Sequence, residues 1–216
     1  MTAYGIQRRN MLKFFGASAA VITIGSACKS DSTPTPSTGV NLGSGDIGVL
    51  NYAYALEQLE AAFYIKVASS PYAGITAMES SFLNDIRDHE VAHREFFKAA
   101  LGASAIGALE VNFSSINFAS RASVLGAAKT FEDLGVSAYN GAGKLLVSDV
   151  YLGLAGKIVS VEARHAATIR ELLQANSFAD TTDANGLDTA LSPAQVLAAA
   201  GTYIVTPINA SNLPTS

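Results

Sequence analysis

A pattern of Glu, Tyr and His residues that occurs twice constrains this chain more than any other feature. Each copy has a Glu followed seven residues later by a Tyr and, farther along, a second Glu followed three residues later by a His. The first copy comprises Glu57, Tyr64, Glu90 and His93, and the second comprises Glu132, Tyr139, Glu162 and His165. Residues three, four or seven apart share one face of a helix, so the pattern predicts helices that turn these polar groups inward with an apolar stripe.

Helical periodicity predicts an all-α fold. Four segments have it, over about residues 46–69, 76–101, 120–146 and 148–174. Asp46 is the candidate N-cap of the first helix, and Gly102 is a suitable C-cap for the second. Two of the links are short, whereas residues 102–119 form a long connection with a short extended piece. This order predicts a four-helix bundle with a long crossover between helices 2 and 3.

The bundle is predicted to occupy residues 46–175 and to be followed by a C-terminal extension, residues 176–216. The extension begins with a polar run, NSFADTTDANGLD, which predicts a loop. The next stretch, SPAQVLAAAG, predicts one short helix from Ser192. These last residues give no indication of function.

Residues 1–27 are predicted to be a signal peptide. Basic residues precede an uncharged apolar run and a group of small residues, and the run is too short for a permanent membrane span. The stretch Arg8-Arg9-Asn10-Met11-Leu12-Lys13 resembles the twin-arginine export signal, which carries folded proteins. We therefore expect an exported protein of the periplasm or cell envelope.

Cys28 is the only Cys of the chain and follows Gly25-Ser26-Ala27, which resembles a lipobox with Gly in place of the usual Leu. The prediction is a lipidated Cys28 that anchors the protein to a membrane. The alternative is ordinary signal cleavage with an unmodified thiol. Residues 28–45 are rich in Ser, Thr, Pro and Gly, which predicts a flexible linker.

The charge balance argues against a nucleic-acid partner. Without the first 27 residues, 11 Lys and Arg face 18 Asp and Glu, and the basic residues are scattered. A single Cys excludes a disulfide within the chain. A homo-oligomer is left open by the sequence.

The two Glu-x-x-His pairs and one further Glu from each remaining helix supply four carboxylates and two imidazoles. This ligand set is known from dinuclear iron and manganese centres in four-helix bundles. Carboxylate oxygens with one imidazole per ion suit Fe or Mn by ligand type. Burying four carboxylates without a cation is costly, so a bundle that directs them inward implies either a metal or raised pKa values of the carboxylates. With this ligand set, we expect two Fe or Mn ions. O2 or peroxide is the expected reaction partner.

Two stretches, LNYAYALEQLEAAFY and DHEVAHREFF, resemble the first two helices of the ferritin-like superfamily and of its ferritin-like domain family, which includes the desiccation-related proteins. The resemblance covers about residues 46–175. It implies that Glu57 and His93 are terminal ligands of one metal, and that Glu132 and His165 are those of the other. It further implies bridging roles for Glu90 and Glu162, and hydrogen bonds from Tyr64 and Tyr139 to ligand carboxylates.

Several alternatives stay open at this point. Glu60, one turn after Glu57, is an alternative metal ligand. HEVAH matches the HExxH signature of zinc peptidases, with His89 and His93 as ligands, but the sequence lacks a third ligand and a strand-rich half. In the dinuclear interpretation, His89 is the residue expected to contribute least. A rival to a redox function is a non-catalytic stress-protective or structural envelope protein whose metal stabilises the bundle.

Overall fold

The computed structural model describes residues 39–215, so the predicted signal peptide, Cys28 and most of the predicted linker lie outside the described residues. Within this range the chain forms α1 (Gly45–Ser69), α2 (Ala77–Leu101), α3 (Arg121–Ala142), α4 (Asp149–Leu173) and α5 (Pro193–Ala200), with the short strands β1 (Val40–Asn41) and β2 (Ile208–Asn209). The all-α fold class is confirmed. None of the described helices is long and apolar enough to cross a membrane.

Side-chain caps fix where most of the helices begin. Thr76 forms a capping box with Glu79 at the start of α2, and Ser192 forms one with Gln195 at the start of α5, the short helix predicted in the extension. Ser148 accepts a hydrogen bond from a backbone N–H of the first turn of α4. The caps at Thr76 and Ser148 therefore fix the starts of α2 and α4, the two helices that carry the Glu-x-x-His pairs.

Asp46 is not the N-cap of α1, so that prediction is wrong. Ser44 holds the N-cap position, and Asp46 lies in the first turn. The Asp46 carboxylate accepts hydrogen bonds of 2.8 and 3.0 Å from the backbone N–H groups of Val147 and Ser148. These two groups lie where α4 begins and have no partner within a helix. Asp46 therefore joins the start of α1 to the start of α4.

Helix α1 is buried on almost every side, which a single apolar stripe does not predict. The crossover, residues 102–120, covers its outer face, and two buried amide side chains of α1, Asn51 and Gln58, bind backbone groups of that crossover. The bonded groups are the carbonyls of Ser104 and Gly107 and the N–H groups of Ile106 and Leu109. The crossover thus encloses α1 without leaving these groups unpaired.

An aromatic cluster joins the bundle to the segments that cover it. Phe63 of α1 makes edge-to-face contacts with Phe113 of the crossover and Phe131 of α3, at ring-centroid distances of 5.8 and 4.9 Å. Tyr203 of the C-terminal extension packs against Phe131 at 4.7 Å. The crossover and the extension are therefore parts of the hydrophobic core.

The last residues of the predicted linker differ from the prediction. The N–H of Val40 donates to the Pro207 carbonyl, and the N–H of Leu42 donates to the Asn209 carbonyl. Leu42 is fully buried. Any flexible linker therefore ends before Val40, because β1 pairs in parallel with β2 of the extension. Because the stretch has few apolar residues, its sequence indicated neither the burial of Leu42 nor the pairing of β1 with β2.

Candidate metal centre

The four long helices bring their acidic residues together near the middle of the bundle. Glu57 of α1, Glu90 of α2, Glu132 of α3 and Glu162 of α4 are all fully buried. The two His residues, three positions after the Glu of α2 and of α4, are also largely enclosed. The side chain of His93 is 13% exposed and that of His165 is 5% exposed. All six ligands predicted from the sequence therefore converge on one place.

The six side chains form two overlapping groups that can each hold a metal ion. One group contains Glu57, Glu90, His93 and Glu162, and the other contains Glu90, Glu132, Glu162 and His165. Within each group, one ligand atom per residue lies within 4.8 Å of the others. Glu90 and Glu162 belong to both groups, so each can bridge two ions. This grouping is the one that the family resemblance implies.

Both imidazoles face the carboxylates through Nδ1. His93 Nδ1 lies 3.0 Å from Glu162 Oε1 and 3.5 Å from Glu57 Oε2. His165 Nδ1 lies 2.8 Å from Glu90 Oε1 and 3.4 Å from Glu132 Oε2. Each ring thus directs one nitrogen at the cluster and keeps Nε2 on the outer side.

The six side chains are better arranged to coordinate metal ions than to form hydrogen bonds with one another. Eight buried nitrogen and oxygen atoms of the six residues lack a partner in hydrogen-bond geometry, including both nitrogens that face the cluster and both oxygens of Glu90 and of Glu162. The two nitrogens lie 3.0 and 2.8 Å from carboxylate oxygens, but at angles that do not make a hydrogen bond. A buried polar atom without a partner costs about 1–3 kcal/mol. The four carboxylates carry a formal charge that two divalent cations would neutralise. Coordination would therefore remove both the unpaired atoms and the charge repulsion.

In the metal-free protein, the same burial shifts the pKa values of the cluster. Burial raises the pKa of Glu57 to about 7 and that of Glu162 well above its usual value, with the Glu90 charge adding to the effect at Glu162. Burial alone would raise the pKa of Glu90, but the His165 and His93 rings beside it lower that pKa to about 2. Burial opposes protonation of His93, yet Glu162, Glu57 and Glu90 raise its pKa to about 12. Without a metal, protons held by Glu57, Glu162 and His93 thus offset part of the negative charge of the cluster.

Two tyrosines hold the terminal carboxylates from the opposite helix. The hydroxyl of Tyr64 on α1 donates to Glu132 on α3, and the hydroxyl of Tyr139 on α3 donates to Glu57 on α1. Each bond leaves the other oxygen of its carboxylate without a hydrogen-bond partner, facing the cluster. The two bonds therefore fix the orientation of one carboxylate in each group.

Glu60 is a fifth buried carboxylate beside the cluster. It belongs to neither ligand group, so the alternative in which Glu60 is the ligand of α1 is not supported. Burial, followed by the charges of Glu162 and Glu90, raises the pKa of Glu60 well above its usual value. Glu60 lies three residues after Glu57, the place that Gly135 holds after Glu132. A Cβ at Gly135 would lie 3.0 Å from Glu60 Oε1 and 3.2 Å from Glu162 Oε2.

A Gly135→Ala variant should therefore weaken metal binding. Ala favours a helix over Gly by about 1 kcal/mol, but overpacking against two buried carboxylates costs about 1–3 kcal/mol. We expect the Glu162 carboxylate to shift and the metal affinity to fall roughly tenfold. Anaerobic calorimetry with Mn(II) measures this change. The control is Gly126→Ala on the same helix, where an added Cβ meets nothing within 4 Å; equal affinities of the two variants would contradict the prediction.

His89 has a contact that the sequence pattern did not predict. Its Nδ1 lies 2.9 Å from Nε2 of His165, although we expected His89 to contribute least. His89 belongs to neither ligand group, which removes one of the two His ligands that a zinc peptidase would need. In the sequence, His89 directly precedes Glu90, which places it beside a predicted ligand but does not identify its partner.

Comparison with known families agrees with the observed fold. The family model described as "Ferritin-like domain" matches residues 45–175, which is the whole range of the four long helices. Among curated proteins, none matches this chain. The long crossover after α2, the two Glu-x-x-His pairs and the family match lead to one conclusion: this chain belongs to the ferritin-like domain family.

Proposed function

We propose that this protein binds a dinuclear Fe or Mn centre and uses it in redox chemistry with O2 or peroxide. The observation that carries the proposal is the set of eight buried, unpaired ligand atoms in two groups that share Glu90 and Glu162. Two adjacent ions with shared carboxylates can exchange two electrons with one oxidant. Four carboxylates with one imidazole per ion favour Fe or Mn by ligand type.

Iron oxidation is the reaction that this arrangement supports best. Two Fe(II) ions give two electrons, and O2 takes them with two protons to form H2O2. Alternatively, H2O2 takes the two electrons with two protons and forms two waters. A bound dinuclear centre would supply the electrons and the open coordination positions for such a reaction.

The protein side chains have separate parts in this proposal. Glu90 and Glu162 would hold both ions, because each belongs to both ligand groups. Tyr64 and Tyr139 keep Glu132 and Glu57 in place. The side chain of His93 is more exposed than that of His165, at 13% against 5%, so the cluster is less enclosed on the His93 side.

The test is a stopped-flow experiment on the metal-free domain. The protein is loaded anaerobically with Fe(II), mixed with O2 or with H2O2, and followed by the absorbance of Fe(III). We expect oxidation to be at least about 100-fold faster than for Fe(II) alone. A wild-type rate no greater than that of a Glu90→Ala, Glu162→Ala double variant would remove the redox function and leave the rival, a non-catalytic envelope protein with a stabilising metal.

We further propose that the reaction takes place at the cell envelope. The support is the signal-like sequence of residues 1–27, with its paired Arg8-Arg9, and the position of Cys28 after small residues. Export of the folded, loaded protein would let the cytoplasm determine which metal is bound, before Zn or Cu can compete. Mass spectrometry of the mature chain from envelope fractions tests this placement. An intact residue 1–27 segment on a cytoplasmic protein would contradict it.

A further inference from the structure

His89 lies just outside the ligand cluster and contacts one of its two imidazoles. The rings of His89 and His165 are nearly parallel, at 10° to each other, with centroids 5.1 Å apart. The Nδ1 of His89 and the Nε2 of His165 are 2.9 Å apart, a hydrogen-bond distance. His165 thus has one nitrogen toward the carboxylates and the other toward His89.

This geometry fixes where the protons lie when His165 binds a metal. The Nδ1 of His165 faces Glu90 and Glu132, so it is the ligand atom and uses its lone pair for the metal. The proton of the neutral ring is then on Nε2, which donates to Nδ1 of His89. His89 must therefore accept through Nδ1 and carry its own proton on Nε2.

The other half of the site lacks this device. Val161 directly precedes Glu162, just as His89 directly precedes Glu90, and Val has no group that can accept a hydrogen bond. Across residues 39–215, the side-chain contacts of His93 within ion-pair distance are to cluster carboxylates, through Nδ1. The two ligand groups thus contain the same types of residue, but His165 has a His next to it outside the group and His93 does not.

His89 also borders a surface pocket. The pocket has a volume of about 150 Å³ and reaches His165, and its walls include Asp85, Arg164 and Thr168. His89 is therefore a polar residue between solvent and a ligand, a position in which a side chain can orient the ligand without binding the metal itself.

We propose that His89 is a positioning residue for His165, and that it makes the metal bound by Glu132 and His165 tighter than it would otherwise be. The inference rests on the proposed dinuclear centre. A ligand His whose outer N–H donates a hydrogen bond is held in one orientation and one tautomer, and its metal-binding nitrogen is more basic. The effect falls on one of the two metals only, because among residues 39–215 His165 has this hydrogen-bond partner, whereas the polar contacts of His93 are to cluster carboxylates.

Anaerobic titration with Co(II) tests this, with calorimetry for affinity and visible absorption for the ligand field of each ion. A His89→Leu variant removes the acceptor, and a His89→Asn variant keeps an oxygen near the place of Nδ1. A Val161→Leu variant changes the same pocket without touching the hydrogen bond. Circular dichroism checks that all of them are folded.

We expect His89→Leu to weaken one of two binding steps by about 10–100-fold and to change the spectrum of that step, whereas the other step stays within about threefold. His89→Asn should recover most of the lost affinity, and Val161→Leu should match the wild type. The inference is overturned if His89→Leu changes neither step, if it weakens both equally, or if His89→Asn behaves as His89→Leu does. A wild-type protein that binds fewer than two ions would instead refute the dinuclear centre itself.

Discussion

A Glu162→Gln variant is expected to lose the proposed dinuclear centre while its metal-free form becomes more stable. Gln keeps the shape of the side chain but removes the charge and one ligand oxygen. Glu162 belongs to both ligand groups, so its loss affects both ions. We expect the metal content to fall from two ions to one or none, and Fe(II) oxidation to fall at least about 100-fold.

The gain in metal-free stability has an electrostatic cause. Burial, with the Glu90 charge, raises the pKa of Glu162 well above its usual value, so the folded protein disfavours the ionised carboxylate. A neutral amide avoids that penalty near pH 8. Thermal unfolding of the metal-free proteins should show a higher Tm for Glu162→Gln than for the wild type.

Glu95→Gln is the matched control for the metal measurements. Glu95 is an exposed residue of α2 that pairs with Arg94, so its substitution changes the net charge by the same amount without touching the cluster. Metal content is measured by elemental analysis after anaerobic loading and desalting. If Glu162→Gln retains two ions with unchanged affinity, Glu162 is not a bridging ligand and the proposed centre is wrong.

The second large effect is a loss of metal-free stability as the pH rises. Burial raises the pKa of Glu57 to about 7, from 4.5. Burial opposes protonation of His165, but Glu132 and Glu90 raise its pKa to about 10, from 6.5. Both groups hold a proton more tightly in the folded than in the unfolded chain. Their contribution is complete below the unfolded pKa values and is lost as the pH rises through the folded ones.

The metal-free Tm should therefore fall between about pH 5 and pH 8, by roughly 5–10 °C. The Glu90 pKa of about 2 gives the opposite trend, but only below about pH 4.5, where Glu90 starts to gain a proton in the unfolded chain. With Mn(II) bound, the ligands are already deprotonated, and the decline should disappear. Calorimetric scans at several pH values, with and without Mn(II), measure both curves. A metal-free Tm that rises over this range would contradict the assignment of buried, proton-holding ligands.

The sequence predicts the cluster well because its chemistry and its helical spacing agree. Glu90 and His93 are three residues apart, and the same step recurs at Glu162 and His165, so the sequence alone identifies the inner faces of α2 and α4. The Glu and Tyr spacing did the same for α1 and α3. The spacing of these residues identifies the inward face of each helix. In a four-helix bundle the four inward faces meet in the core.

The outer features could not be predicted because they depend on how the helices face one another. Gly135 shows no pattern of its own, and its meaning appears only where the Glu60 and Glu162 carboxylates approach it across the bundle. His89 lies on α2, and its partner His165 lies on α4. The burial of α1 on its outer side likewise depends on the crossover, whose covering position no periodicity in residues 102–119 indicates.

Metal analysis of the protein purified from the cells that make it tests the proposed dinuclear centre most directly. Elemental analysis is combined with electron paramagnetic resonance, which distinguishes two coupled ions from two isolated ones. We expect about two Fe or Mn ions per chain, magnetically coupled through the shared carboxylates of Glu90 and Glu162. A chain that carries a single Zn, or no metal at all, would contradict it.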